Sequence, residues 1–147
     1  MTTHHSCGNQ DTVLANFLKE TAEHAYDPTT GYCAKPGTRI NSWTVFHNAD
    51  VTVMYGDRGD YAFRRPLSFF RGGVSPRYAA GKLFSSGSAD IECHGCIHEY
   101  FKIDVPTVAE AIEYCDDDID VYMWQQPLTS GFLWAVNALV WSADHAQ

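Results

Sequence analysis

Val13, Leu14, Phe17, Leu18, Ala22 and Ala25 recur at the spacing of one helix face, so the chain opens on an amphipathic helix from Asp11 to about Tyr26. Asp11 stands where a capping side chain belongs, and Asp27-Pro28-Thr29-Thr30-Gly31 supplies turn chemistry at the far end. Residues 32–41, with Pro36-Gly37, read as a loop. Beyond them the pattern changes to strands. Trp43–His47 and Val51–Tyr55 are rich in β-branched and aromatic residues, with Asn48-Ala49-Asp50 as a turn or bulge between them. Gly56-Asp57-Arg58-Gly59 is a hairpin signal, and Tyr61–Phe63 returns as a short strand.

Residues 64–88 are rich in Gly, Ser, Pro and Arg and read as one long irregular segment, a length often tied to function. Ala89–Cys93 suits a strand, while Cys96–Ile103 fits a helix start or a strand equally well. Thr107–Cys115 reads as a helix, capped by Asp104 or Thr107, with Pro106 near its start and Thr107-x-x-Glu110 as a capping box. The acidic run Asp116-Asp117-Asp118-x-Asp120 is unfavourable at a helix C-terminus and stops that helix by Cys115. Ile119–Trp124 alternates as a strand. Ser130–Ser142 is a last helix, apolar nearly all round and too short to span a bilayer. It reads as a buried core helix, with a membrane-touching or partner-docking tail as the alternative. The pattern predicts an α+β fold: a disordered leader over 1–10, then one domain over 11–147 with a small antiparallel sheet and about three helices.

Charge alters this picture locally. The net charge is −8, yet residues 58–82 carry six basic and one acidic side chain. Residues 1–57 carry three basic and six acidic, and residues 83–147 one basic and eleven acidic. The total disfavours bulk nucleic-acid binding, whereas the basic island suits a local anionic ligand. There Arg58, Arg64, Arg65, Arg71, Arg77 and Lys82 interleave with Tyr61, Phe63, Phe69, Phe70 and Tyr78. Guanidinium groups pair with phosphates and rings stack on exposed bases, so the island suits RNA, and the same mixture suits an anionic membrane surface. The bland alternative is a solvated loop whose arginines pair with the acidic C-terminal half.

Candidate chemistry concentrates in Glu92-Cys93-His94-Gly95-Cys96-Ile97-His98-Glu99. Cys7, Cys33, Cys93, Cys96 and Cys115 are odd in number, and no apolar run marks a signal peptide, so reduced thiols in the cytoplasm are expected. Cys93 and Cys96 form one metal knuckle, which makes zinc the possible cofactor. A second knuckle is not evident, because the other three cysteines are isolated in sequence and His94 or His98 would need strained geometry. A thioredoxin-like dithiol would need a βαβ setting. A thiol nucleophile is the third reading: Cys96, with His47 as base and Asp57 or Asp60 as its orienting group. Cys7, which precedes a helix, is a weaker nucleophile candidate.

An early strand followed by Gly56-Asp57, then Cys96-Ile97-His98-Glu99-Tyr100-Phe101, resembles the H-box/NC pattern. That pattern belongs to the lecithin-retinol acyltransferase and phospholipase/acyltransferase group and to the 2A proteins of picornaviruses such as parechoviruses and kobuviruses. The resemblance covers about residues 43–103. Cys96 and His98 match the NC box, whereas its Asn is Gly95 here and its Phe is displaced. Registering on Gly56-Asp57 puts Asp50 where the family has its catalytic histidine, and His47 falls three residues early. The resemblance implies a permuted NlpC/papain-like architecture. It also implies a viral non-structural protein of the host cytoplasm, acting on RNA or a host factor by binding rather than catalysis. The alternatives are a Cys96-dependent acyltransferase or hydrolase and a small zinc-stabilised interaction module.

Overall fold

The computed structural model describes residues 5–84, 91–114 and 127–146. Five antiparallel strands run in chain order: β1 (Ala25–Tyr26), β2 (Tyr32–Ala34), β3 (Trp43–His47), β4 (Thr52–Gly56) and β5 (Tyr61–Phe63). Around this sheet lie α1 (Gln10–Glu20), a 3-10 turn (Leu67–Phe70), α2 (Pro76–Ala80), α3 (His94–Phe101), α4 (Val108–Tyr114) and α5 (Ser130–His145). The fold is α+β with an antiparallel sheet, as the pattern predicted, though the helices are more numerous than the three expected.

The central hairpin forms where the alternation placed it, with Trp43 opposite Gly56 and His47 opposite Thr52. Trp43, Val45, Met54, Tyr61 and Phe63 point to one face and are buried. Gly56 has a steric reason: a Cβ there would lie 2.3 Å from the Ser42 carbonyl oxygen and 2.7 Å from Trp43 Cα. Gly31 has another, since its φ is +77° and a Cβ would meet the Val45 carbonyl oxygen at 2.1 Å.

Several local expectations change. Asn9, not Asp11, caps α1, its side chain accepting from Thr12 N–H at 3.1 Å. The helix ends at Glu20, with Thr21 as its C-cap in a non-helical conformation and its hydroxyl donating to the Phe17 carbonyl at 2.7 Å. Ala25 and Tyr26 then pair with Ala34 and Cys33, so part of the expected 32–41 loop is strand and ladder bonding overrides helix spacing. The 64–88 segment is not irregular throughout: Leu67 and Phe70 are buried by the 3-10 turn and Ala79 by α2. Thr107 accepts from Glu110 N–H at 3.3 Å, as its capping role required. Cys115, the acidic run and the Ile119–Trp124 strand lie outside the described residues, as do Ala89 and Asp90 of the strand expected before Cys93.

The core forms around α5. Phe132 to Leu139 are buried without a break, against α1, the 3-10 turn, α2 and β3. This resolves the apolar last helix in favour of a core element; no described helix is long and apolar enough to cross a membrane. Trp43 meets Trp134 and Trp141 edge-on at 5.5 Å, and its Nε1 donates to Ser142 Oγ at 2.7 Å. Ile97, Phe101 and Ala111 make a second, much smaller core between α3 and α4.

One hydrogen-bonded seam joins the chain's distant parts. The lead-in to α5 receives Gly8 N–H at the Leu128 carbonyl (3.3 Å) and Cys93 N–H at the Pro127 carbonyl (2.9 Å). In return Ser130 N–H donates to Ser6 and Thr129 N–H to Ile91. Residues 6–8 and 91–93 therefore flank 127–130 on either side. Part of the 1–10 segment expected as a disordered leader is instead held against the domain, because its backbone groups find partners in this seam.

Replacing Ser142 by Ala strands the buried Trp43 N–H, which costs about 1–3 kcal/mol. A lowered urea midpoint at unchanged slope is the expected outcome.

Candidate metal centre

Cys93 is the N-cap of α3 and Cys96 lies in that helix's first turn. The segment that the sequence left open between helix and strand is thus helical from His94. The seam sets Cys7, bridged to Thr129, beside Cys93, and His5 follows two residues upstream. As a result His5, Cys7, Cys93 and Cys96 converge, with one donor atom from each all within 4.8 Å of one another. Cys7 Sγ lies 3.8 Å from Cys96 Sγ. His5 Nδ1 lies 3.3 Å from Cys96 Sγ and 3.6 Å from Cys93 Sγ. The other ring nitrogen, Nε2, meets Glu99 Oε1 at 2.8 Å. Two soft thiols, a third on the same centre and an oriented imidazole form a set that could bind a metal ion.

The electrostatics of the metal-free cluster are those of groups competing for protons. Burial pushes the Cys93 thiol up, but backbone N–H groups of Cys96, Ser6 and Cys7 and the Cys96 side chain outweigh it and bring it down to about 6. Cys96 moves the opposite way, to about 12, through burial and then its neighbours Cys93 and Cys7. Packed thiolates repel, so only a cation lets them ionise together. Glu99 and then Cys93 raise His5 above its ordinary value. Cys33 belongs elsewhere: fully buried, it is pushed up to about 12 by burial and packs against Ser142.

The catalytic set proposed on sequence is not brought together. The imidazole on Cys96 is that of His5; among the described residues no hydrogen bond links His47 to Cys96. His47 is exposed at the end of β3, on the wall of a shallow cavity of about 470 Å³ that Tyr26, Tyr32, Phe46 and Tyr55 also line. Asp57 accepts the backbone N–H of Asn41 at 2.9 Å, and Asp60 is exposed beyond the turn. Asp50, at the H-box histidine register, sits in the β3–β4 turn with its N–H on Asn48. The described sheet is wholly antiparallel, so among the described residues no βαβ unit carries the Cys93/Cys96 pair. His94 pairs with Asp104 at 2.6 Å instead of joining the cluster.

The second half of the metal set is what sequence reading missed. Its signal was short: His5-Ser6-Cys7, a two-residue ligand spacing inside a stretch set aside as a leader.

The basic island also sorts. Arg58 is engaged, paired with Glu20 and Asn41 and stacked 4.9 Å over Trp134. Arg64, Arg65, Arg71, Arg77 and Lys82 meet no carboxylate among the described residues; the acidic run Asp116-Asp117-Asp118-x-Asp120, with which they were expected to pair, lies outside those residues. No family model, curated protein or solved structure matches this chain, so the H-box/NC resemblance stands on its short motifs alone.

In metal-free protein the His5 ring is expected to titrate above its ordinary value, and Glu99→Gln to bring it down. Ring-proton shifts in NMR report both. Because the folded value is raised, the His5–Glu99 contribution to stability is full below the ordinary histidine value and is lost as pH rises through the raised one.

Proposed function

We propose that the protein is a zinc-stapled binding module without thiol catalysis, in which His5, Cys7, Cys93 and Cys96 hold a structural zinc ion. The observation that carries this reading is the spacing of the donor atoms. Zinc bonds of about 2.3 Å to sulfur and about 2.0–2.1 Å to nitrogen in a tetrahedron set edges of roughly 3.8 Å between sulfurs and roughly 3.6 Å from sulfur to nitrogen. The distances of 3.8, 3.6 and 3.3 Å lie close to these. Glu99 on the far ring nitrogen is the outer carboxylate that orients a metal-ligating histidine and selects its tautomer.

The structural need supports the same reading. The α3–α4 pair rests on a core of three fully buried side chains, too few to hold it firmly. Tying Cys93 and Cys96 of α3 to His5 and Cys7 fastens that pair to the seam and through it to α5. Four protein ligands close the coordination sphere, which marks a structural rather than a catalytic ion. With its sulfur committed to the ion, Cys96 has no free thiolate for acyl chemistry. Binding through another surface is then the remaining mode of action, as the H-box/NC resemblance also implied.

Purified protein is expected to carry one zinc ion per chain by elemental analysis, and chelation to lower Tm. Cobalt in its place should show the visible bands of a tetrahedral thiolate site. Glu99→Gln should weaken zinc affinity about 10–100-fold while leaving those bands in place. Zinc retention should fall as pH drops, because protons compete with the ion for the three thiolates and the His5 ring. Protein that holds no stoichiometric metal and keeps its Tm in chelator would refute the reading, and an acyl group trapped on Cys96 would restore the enzyme alternative.

A further inference from the structure

We infer that the surface built by β5, the 3-10 turn, α2 and residues 82–84 is a binding site for single-stranded nucleic acid. The sequence showed only that cations and rings alternate over residues 58–82; the fold arranges some of them into one continuous strip. Arg64 N–H donates to the Lys82 carbonyl at 2.7 Å, and Phe84 N–H to the Ala62 carbonyl at 3.1 Å, so residues 82–84 lie along the edge of β5. Arg64 stacks over Phe84 at 4.9 Å, Lys82 over Tyr78 at 4.7 Å and Arg65 over Phe69 at 5.9 Å. The Phe69 and Tyr78 rings are 5.6 Å apart and close the strip. Three cations thus sit on three rings across one patch.

Chemistry selects the occupant. The chain carries 18 acidic side chains, yet none of the described ones pairs with Arg64, Arg65 or Lys82. Cations without a carboxylate partner among the described residues, each already set over a ring, suit an external anion. Each is poised over an aromatic face, and Tyr78 is 57 % exposed. A base stacking on such a ring keeps its phosphate within reach of the neighbouring cation. A duplex hides its bases and would leave the rings unused. An anionic membrane would gain from inserted apolar tips, whereas Phe69 and Phe84 are half-buried. Arg58 is excluded by its pairing with Glu20, and Arg71 adjoins Gly72, whose N–H is held by Asp144 at 2.9 Å. The site shares no residue with the metal cluster and stands or falls separately from it.

The test is fluorescence anisotropy of the full-length chain with labelled oligouridylate, oligothymidylate and a duplex, together with sedimentation on phosphatidylserine vesicles, each over a range of salt. Oligouridylate or oligothymidylate should bind at least tenfold tighter than duplex, and the relative strength of the two assigns RNA or DNA. The triple variant Arg64→Gln, Arg65→Gln, Lys82→Gln should lose tenfold or more and flatten the log–log salt slope by about 2. Arg64→Lys with Arg65→Lys should keep the slope. Tyr78→Ala should weaken binding roughly 5- to 150-fold with the slope unchanged, since a base-stacking ring contributes about 1–3 kcal/mol and carries no charge. Circular dichroism of each variant guards against a folding defect. Absence of single-strand binding at low salt, indifference to the triple variant, or a preference for duplex or vesicles would overturn the assignment.

Discussion

The burial of α5 on all sides is the constraint from which the rest follows. A helix whose residues Phe132 to Leu139 are all apolar or enclosed cannot lie on a surface. It needs cover from several directions, and α1, the 3-10 turn, α2 and β3 supply it. Polar groups carried inward need internal partners: Ser142 accepts from Trp43, and Asn137 accepts from Gln10 at 3.1 Å. The sheet's inward face is selected by the same helix, because only the Trp43–Val45–Met54–Phe63 side has apolar matter to meet.

The approach to α5 has a second consequence. The backbone just before the helix, with Leu128 buried, presents N–H and C=O groups that find protein partners. They pair with residues 6–8 on one side and 91–93 on the other. Segments nearly ninety positions apart in sequence are thereby set side by side, and both carry cysteines. The convergence of His5, Cys7, Cys93 and Cys96 is a product of backbone hydrogen bonding around the core helix more than of any local motif. A metal ion held there would give α3 and α4 an anchorage beyond their small shared core.

The strip of cations and rings arises differently. Leu67, Phe70 and Ala79 turn inward to cover α5, which leaves Arg64, Arg65, Tyr78 and Lys82 at the rim. Residues 64–84 therefore combine two roles, one face closing the core and the other presenting cations that meet no carboxylate among the described residues.

Much of the fold was legible in the sequence. The central hairpin, its turn at Gly56 to Gly59, the capping Thr107 and the enclosed last helix follow from period, turn chemistry and composition, which act over a few residues. The end of α1 was not legible, because the pairing of Ala25–Tyr26 with Cys33–Ala34 competes with helix formation and depends on a partner strand. Of the metal set, Cys93 and Cys96 announced themselves by spacing, whereas His5 and Cys7 acquired meaning only through the seam. The sequence by itself determined which residues could ligate, stack or carry charge. Tertiary structure alone decided which of them meet, because hydrogen-bond pairing around a buried helix is non-local and no spacing along the chain encodes it.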